Sequence, residues 1–258
     1  MFALSDDRIA IFSDVHSNVY ALKAVLEDAF LLDIERHICL GDIVGYGAHP
    51  SECLEMIREL ECPVVQGNHD YMAAESVPDT DLMTGASAGA VFSKEALNEE
   101  QLGYLRDLPR KRVIGDATYS HASLEEPEQW GYVFSTIAAE GHLQSIDTPV
   151  SFMGHTHVPV CYSLSELDIG ETFLNWENVI ESSLIDGIQI DHDTPSMINV
   201  GSVGQPRDGD PRASYVIYSP SQKMALLRRV IYDVQAAQKA ILDVKLPLFS
   251  AQRLEIGG

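Results

Sequence analysis

Seven side chains able to hold a metal ion stand at the ends of apolar runs in this chain: Asp14, His16, Asp42, Asn68, His121, His155 and His157. The densest group is Gly67-Asn68-His69-Asp70, just after Pro63-Val64-Val65. There an amide oxygen, an imidazole and a carboxylate follow a glycine that permits close backbone approach, the composition of a metal or catalytic loop. Asp14-Val15-His16, Gly41-Asp42, His121 and Gly154-His155-Thr156-His157 end other apolar runs. Nitrogen and oxygen donors without thiolate suit manganese, iron, zinc or cobalt, and argue against a structural cysteine zinc site. Seven donors exceed the needs of one divalent ion with an open position and suffice for two ions sharing a carboxylate. Two ions roughly 3.5–4 Å apart clamp the attacking and leaving oxygens of an in-line displacement at phosphorus, and they lower the pKa of a bound water.

Such groups need strands that end together. Residues 8–13 read as a strand that is apolar throughout and so covered on both faces. Ser17-Asn18 can cap the next helix, which shows Ala21, Leu22, Val25, Leu26 and Ala29 at helical spacing. Residues 37–40 form a second strand with an exit loop at 41–47, and Pro50 opens a helix carrying Cys53, Leu54, Ile57 and Leu60. A third strand, 63–65, leads to Asn68. The first third is thus a β-α-β-α-β series whose polar loops lie at strand C-terminal ends, where parallel α/β sheets bind ligands. Residues 71–84 read as a loop, and 86–96 and 99–105 as helices. A hairpin of 112–114 and 117–120 delivers His121, a helix falls within 132–146, and a strand at 150–153 delivers His155 and His157. Residues 197–200 read as a strand, 214–218 and 224–230 as a hairpin, and 233–254 as helical after an Asp233 cap. The acidic stretch 165–195 lacks clear periodicity. It is expected to be an inserted or variable hairpin, with a strand at 184–190, outside the metal site. Without repeats or linkers, residues 1–258 are expected to form one domain.

A chain of 258 residues, 45% hydrophobic, can build a sizeable core. Its net charge of −22, from 39 acids against 17 bases, repels nucleic-acid backbones and anionic membranes. Broad nucleic-acid binding and membrane partnership are therefore excluded, while a local cleft for a small phosphorylated substrate, a nucleotide among the candidates, is not. Residues 1–8 carry no secretory signal, and no run approaches the length of a membrane span. Cys39, Cys53, Cys62 and Cys161 form no Cys-x-x-Cys pair and are expected to be reduced, which fits a cytoplasmic protein. A homo-oligomer is compatible with this composition.

Each motif alone is weak, but their joint order is specific. Ser13-Asp14-Val15-His16, Gly41-Asp42-Ile43-Val44-Gly45, Gly67-Asn68-His69-Asp70, Ser120-His121-Ala122 and Gly154-His155-Thr156-His157 together resemble the calcineurin-like metallophosphoesterase family. The resemblance runs from the first strand to about Val230. Asn199-Val200-Gly201-Ser202-Val203-Gly204-Gln205-Pro206-Arg207 looks like the closing motif of a bacterial subgroup with compact single domains. The resemblance implies an α/β fold, a four-layer α-β-β-α sandwich of two mixed β-sheets flanked by helices. It implies that Asp14, His16, Asp42 and His157 hold one divalent ion, and that Asp42 bridges to a second held by Asn68, His121 and His155. His69 would act as general acid or phosphate donor, oriented by Asp70, with Asn68 helping to neutralise phosphoryl oxygens. One departure is Ala122, where many relatives carry glycine.

The implied function is two-metal hydrolysis of phosphoric esters by metal-bound hydroxide, with a phosphodiester or dinucleoside polyphosphate favoured. The alternative within enzymes is a phosphomonoesterase, including a protein serine/threonine phosphatase. The rival of another class is a non-catalytic protein-interaction scaffold of the same fold, whose hallmark would be lost ligands or a lost catalytic histidine. Arg207 suits bidentate phosphate contact, or else pairs locally with Asp208 or Asp210. Tyr46 and His49 follow Asp42 and could line the pocket. His192, between Asp191 and Asp193, reads as an exposed hairpin end, and His37 and His142 as ordinary surface residues.

Overall fold

Alternation along one short strand decides the layering. In β1 (Ile9–Phe12), Ile9 and Ile11 share a core with Ile38, Tyr119, Phe152, Ile198, Val216 and Tyr218. Ala10 and Phe12 point the other way, into a core with Leu22, Val25, Leu54, Ile57 and Ile241. Successive strand residues face opposite sides, so one core lies between two sheets and another lies under helices. The computed structural model describes residues 7–75, 85–164, 169–173, 187–191 and 193–258.

The first sheet runs β2 (Arg36–Cys39), β1, β10 (Ala213–Ser219), β11 (Met224–Val230), β8 (Ile188–Gln189). β1 and β2 are parallel and the other pairs antiparallel. The second sheet runs β3 (Lys111–Ile114), β4 (Ala117–Ser120), β5 (Val150–Met153), β9 (Ser196–Asn199), β6 (Val160–Leu164), β7 (Ile169–Phe173). Here β4, β5 and β9 run parallel, and the flanking pairs are antiparallel. Helices α1 (Val19–Leu31), α2 (Pro50–Glu59), α5 (Glu99–Arg106), α7 (Val234–Asp243) and α8 (Leu248–Ile256) cover the outer face of the first sheet. Ala139 and Leu143 of α6 (Thr136–Gln144) cover the outer face of the second, against Met153, Tyr162 and Met197. The result is the expected four-layer α-β-β-α sandwich of two mixed sheets.

Local chemistry sets the helix starts. The Asn18 side chain accepts the Ala21 N–H at 3.2 Å, and Asp233 that of Ala236 at 2.9 Å, each satisfying a first-turn donor. Pro50 opens α2, and α4 (Gly85–Ala96) follows residues outside the described set.

Four expectations change. Residues 63–65 make a single parallel bridge, Cys39 to Val64, rather than a ladder strand. The Gln66 N–H turns away to the Pro109 carbonyl at 2.8 Å, which ends the pairing. Tyr71 to Ala74 are helical, not loop, because α3 (Asn68–Ala74) starts at Asn68; residues 76–84 lie outside the described residues. His142 is fully buried, not a surface residue: its Nε2 lies 2.6 Å from Ser151 Oγ and its Nδ1 accepts the Leu124 N–H at 3.1 Å. Residues 169–173 form β7 against β6, and of the expected 184–190 strand the described residues 187–190 hold a strand at Ile188–Gln189; 165–168, 174–186 and His192 lie outside the described residues.

All four cysteines are unpaired. Among the described residues, no helix is long and apolar enough to cross a membrane.

Candidate metal centre

Parallel strands bring the polar loops to one edge. Asp14 and His16 follow β1, Asp42 follows β2, His121 follows β4, and His155 and His157 follow β5. Backbone bonds then lock loop to loop across the two sheets. Asp14 N–H donates to Gly41 O at 3.0 Å and His16 N–H to Asp42 O at 2.9 Å. Val203 N–H reaches Ser13 O at 3.0 Å, Gly204 N–H reaches Asp14 O at 2.9 Å, and Gly154 N–H reaches His121 O at 3.1 Å. Asp14, His16, Asp42, His155 and His157 all have positive φ, between 48° and 70°. For L-residues that conformation costs roughly 1–2 kcal/mol each, and such strain concentrates at functional sites. Two glycines are required by close approach: a Cβ at Gly67 would overlap the Asp42 carboxylate, and one at Gly154 the Asp14 carboxylate.

The donors converge in two groups that share one oxygen. In the first, Asp14 Oδ1 lies 3.1 Å from His157 Nε2 and 3.6 Å from His16 Nε2. His16 Nε2 is 3.0 Å from His157 Nε2 and 3.6 Å from Asp42 Oδ2. In the second, His121 Nε2 lies 3.3 Å from Asp42 Oδ2, 3.1 Å from Asn68 Oδ1 and 3.2 Å from His155 Nδ1. Asp42 Oδ2 therefore faces both groups, while Asp42 Oδ1 accepts the His69 N–H at 2.8 Å. Every aspartate and histidine of the two groups is buried.

The far nitrogen of each ring shows what the near one offers. His16 Nδ1 faces Val44 O at 3.1 Å, His121 Nδ1 faces Leu40 O at 2.8 Å, and His157 Nδ1 faces Gln205 O at 2.6 Å. His155 Nε2 faces Trp130 O at 2.9 Å. A carbonyl only accepts, so each of these nitrogens carries the proton, and the inward nitrogen of a neutral ring carries a lone pair. Lone pairs thus point at one another and at carboxylate and amide oxygens, and Asp14 Oδ1 is buried without a hydrogen bond. This arrangement is satisfied by cations, so the residues fit two metal ions. The backbone carbonyls also fix the ring orientations, as the outer partners of metal ligands do.

Charge follows the same logic. Burial opposes ionisation of Asp14 and Asp42, but nearby imidazoles, led by His157 for Asp14 and His121 for Asp42, hold both carboxyls below the usual range. Burial drives His69 and His155 down to about 3 and His157 to about 4, keeping those rings neutral with lone pairs available. Burial also opposes charging of His121, yet Asp42 outweighs it and raises the ring to about 9. That nitrogen attracts positive charge.

His69 stands beside the first group, its ring 4.9 Å from that of His16 and 4.6 Å from that of Tyr46. Its Nδ1 is buried without a partner. The expected Asp70 contact is absent. Asp70 sits in the first turn of α3, and its Oδ1 accepts Ile43 N–H at 2.9 Å and Val44 N–H at 3.2 Å while Oδ2 accepts Gly67 N–H at 3.0 Å. A carboxylate at the third helical position points back over the helix start, so Asp70 pins the Asp42 loop to α3 and does not orient His69. Burial first, then Asp42, raises Asp70 to about 7.

Tyr46 packs edge-on against His16 at 4.8 Å, so it does line the cluster. The His49 ring packs instead on Tyr20 at 5.5 Å. Arg207 pairs with neither Asp208 nor Asp210: those carboxylates bind Arg229 and Arg212. Its guanidinium lies 5.5 Å from the Tyr46 ring centre, and the Arg207 backbone N–H donates to His157 O at 3.2 Å.

Several supporting residues escaped the sequence reading. Asn199 Nδ2 donates to Gly154 O at 2.6 Å and Ser202 Oγ to Asp14 O at 2.9 Å, so the closing motif braces both ligand loops. Their position in that motif was the available signal. Tyr132 stacks on His155 at 3.9 Å, and nothing in its sequence neighbourhood marks it.

A two-sheet α/β sandwich with a buried His/Asp cluster of metal-site character at one edge defines a metallophosphoesterase-like protein. Residues 8–223 match the calcineurin-like phosphoesterase superfamily domain, and the chain belongs to that superfamily, whose members typically bind two metal ions. An uncharacterised protein of Methanocaldococcus jannaschii is 38% identical over 262 residues, covering 96% of this chain and 98% of the relative. The crystal structure of a metallophosphoesterase from Sphaerobacter thermophilus is 36% identical, with a TM-score of 0.84 over 97% of this chain and 100% of that one. A hypothetical protein from Pyrococcus horikoshii shares the fold at 21% identity and a TM-score of 0.78, covering 97% and 98% of the two chains.

Proposed function

We propose that this protein is a hydrolase of phosphoric esters that works with two divalent ions, on a phosphodiester or a nucleotide phosphoanhydride. The observation that carries this reading is the convergence of inward imidazole nitrogens with Asp14, Asp42 and Asn68 oxygens, Asp42 Oδ2 facing both groups. In this reading Asp14, His16, Asp42 and His157 hold one ion, and Asp42, Asn68, His121 and His155 hold the other. The ions supply charge neutralisation at phosphorus and an activated water, with manganese, iron, zinc and cobalt all suited to such donors.

The chain's own residues do the rest. Val44, Leu40, Gln205 and Trp130 carbonyls hold each ligand ring in one tautomer. Asp70 fixes the loop that carries Asp42 by accepting from Ile43 and Val44. His69 is neutral when buried alone; a phosphoryl anion beside the ring raises its proton affinity, since a nearby opposite charge favours the charged form. With substrate in place the ring takes up a proton from solvent and passes it to the departing oxygen, returning to the neutral form. Arg207 has no carboxylate partner among the described residues and lies over the Tyr46 ring, which supports a role for it in meeting substrate anion. Retention of His69 and all seven donors favours an enzyme over a non-catalytic scaffold of the same fold. Hydrolysis of bis-p-nitrophenyl phosphate with added manganese tests the reading. Turnover is expected; none across several metals and several phosphoric esters overturns it in favour of the scaffold.

A further inference from the structure

The loop after β9 and the last helix place two guanidinium groups on one amide oxygen. Arg207 Nη2 donates to Gln205 Oε1 at 2.9 Å, and Arg253 Nη1 of α8 donates to the same atom at 3.2 Å. The backbone of Gln205 belongs to the metal centre, because its carbonyl accepts from His157 Nδ1 at 2.6 Å. One residue therefore joins a candidate ligand to a pair of cations.

Neither cation has a side-chain carboxylate partner among the described residues, although Arg253 Nε lies against an oxygen of Gly258. In a chain with 39 acids and 17 bases, the neighbouring arginines are matched: Arg212 pairs with Asp210 at 2.5 Å, and Arg229 pairs with Asp208. Among the described residues, no aspartate or glutamate pairs with Arg207 or Arg253. Arg207 Nε is buried without an acceptor. Arg253 Nε donates to the Gly258 oxygen, while its Nη2 and Arg207 Nη1 make no hydrogen bond among the described residues. Two like charges on one neutral oxygen, with donors to spare, form a receptor for an anion. Guanidinium forks suit phosphate in particular.

The location restricts which anion. Arg207 lies over the Tyr46 ring at 5.5 Å, and that ring lies on His16 at 4.8 Å and on His69 at 4.6 Å. The pair is thus one aromatic ring removed from the metal centre. We propose that Arg207 and Arg253, held together by Gln205, form a second anion subsite for a phosphoryl group adjoining the one at the metal centre. The substrate class this selects is a nucleotide-type phosphoanhydride, not a simple monoester. The inference rests on the phosphoesterase reading above and narrows it.

Two nucleotides that differ by one phosphate test it: AMP and α,β-methylene-ADP, which resists hydrolysis at the bridging carbon. Both are measured as inhibitors of bis-p-nitrophenyl phosphate hydrolysis and by direct calorimetric titration of the metal-loaded protein. The wild type is expected to bind α,β-methylene-ADP at least about tenfold more tightly than AMP, the scale of one charge-assisted contact. Arg253→Gln should bring the two affinities within about threefold, with metal content and Tm held as controls, and Arg253→Lys should recover part of the difference. Equal affinity for both nucleotides in the wild type, or an undiminished preference in a folded, metal-loaded Arg253→Gln, overturns the subsite. If Arg253→Gln does not fold, Arg207→Gln is measured in the same way. If no ester is hydrolysed under any metal but calorimetry shows the preference and its loss, the subsite stands and the phosphoesterase reading falls. If esters are hydrolysed without the preference, the reverse holds.

Discussion

Replacing His142 with glutamine should flatten the dependence of folding stability on acid. His142 lies on α6 under β5, the strand whose exit carries His155 and His157. It is fully buried, and burial lowers its pKa to about 4 from an ordinary 6.5. A histidine held neutral in the fold and free to protonate when unfolded binds more protons unfolded between those two values. Stability is therefore complete above about pH 6.5 and falls as pH drops toward 4. Between pH 7 and pH 5 the linkage from these two pKa values amounts to about 2 kcal/mol. For a chain of this length that is about 4–8 °C in Tm. Glutamine keeps a donor for Ser151 and an acceptor for Leu124 but does not titrate. The assay is urea unfolding of metal-free wild type and His142→Gln at pH 7 and pH 5. All other groups are common to both proteins and cancel in the comparison. The wild type should lose about 2 kcal/mol more than the variant over that interval. Equal losses would show that His142 is not buried neutral and that the packing described for α6 is wrong.

Two further outcomes follow from the metal centre. Asp42→Asn puts an amide where one oxygen faces both groups, so it should lower the affinity for both ions and reduce turnover by at least about 10²-fold; two metals retained on elemental analysis would refute the shared position. His69→Asn should keep both metals and slow hydrolysis of an alkyl or nucleoside ester by roughly 10²–10⁴, with a much smaller loss on a p-nitrophenyl ester that leaves without a proton. Equal losses on both ester types would make His69 a stabiliser of phosphoryl charge, and lost metal would make it a ligand.

Much of this was legible because the strands are short and the first of them is apolar throughout. A run such as Ile9-Ala10-Ile11-Phe12 admits only a strand covered on both faces, and a polar residue directly after it must sit at the sheet edge. Six of the donors follow strands and meet at that edge, and Asn68 joins them from the start of α3. What the sequence hid was direction. Asp70 adjoins His69 in the chain, but helix geometry points its carboxylate back to Gly67, Ile43 and Val44. A helix begun by Gly67-Asn68 was missed because its few residues carry no long apolar period. His142 lies on a helix of weak amphipathic pattern, so its burial against Ser151 left no periodic trace. Arg253 reaches Gln205 across 48 residues, a pairing no local pattern encodes.

The most direct test of the central claim is the number of metal ions per chain. Purified protein loaded with manganese, desalted and analysed for metal should hold two ions, and His157→Ala and His155→Ala should each lose one by preference. Two ions in the wild type, one in each variant, and ester hydrolysis restored only at two per chain are the predicted results. A wild-type content that stays below one across manganese, iron, zinc and cobalt would contradict the account.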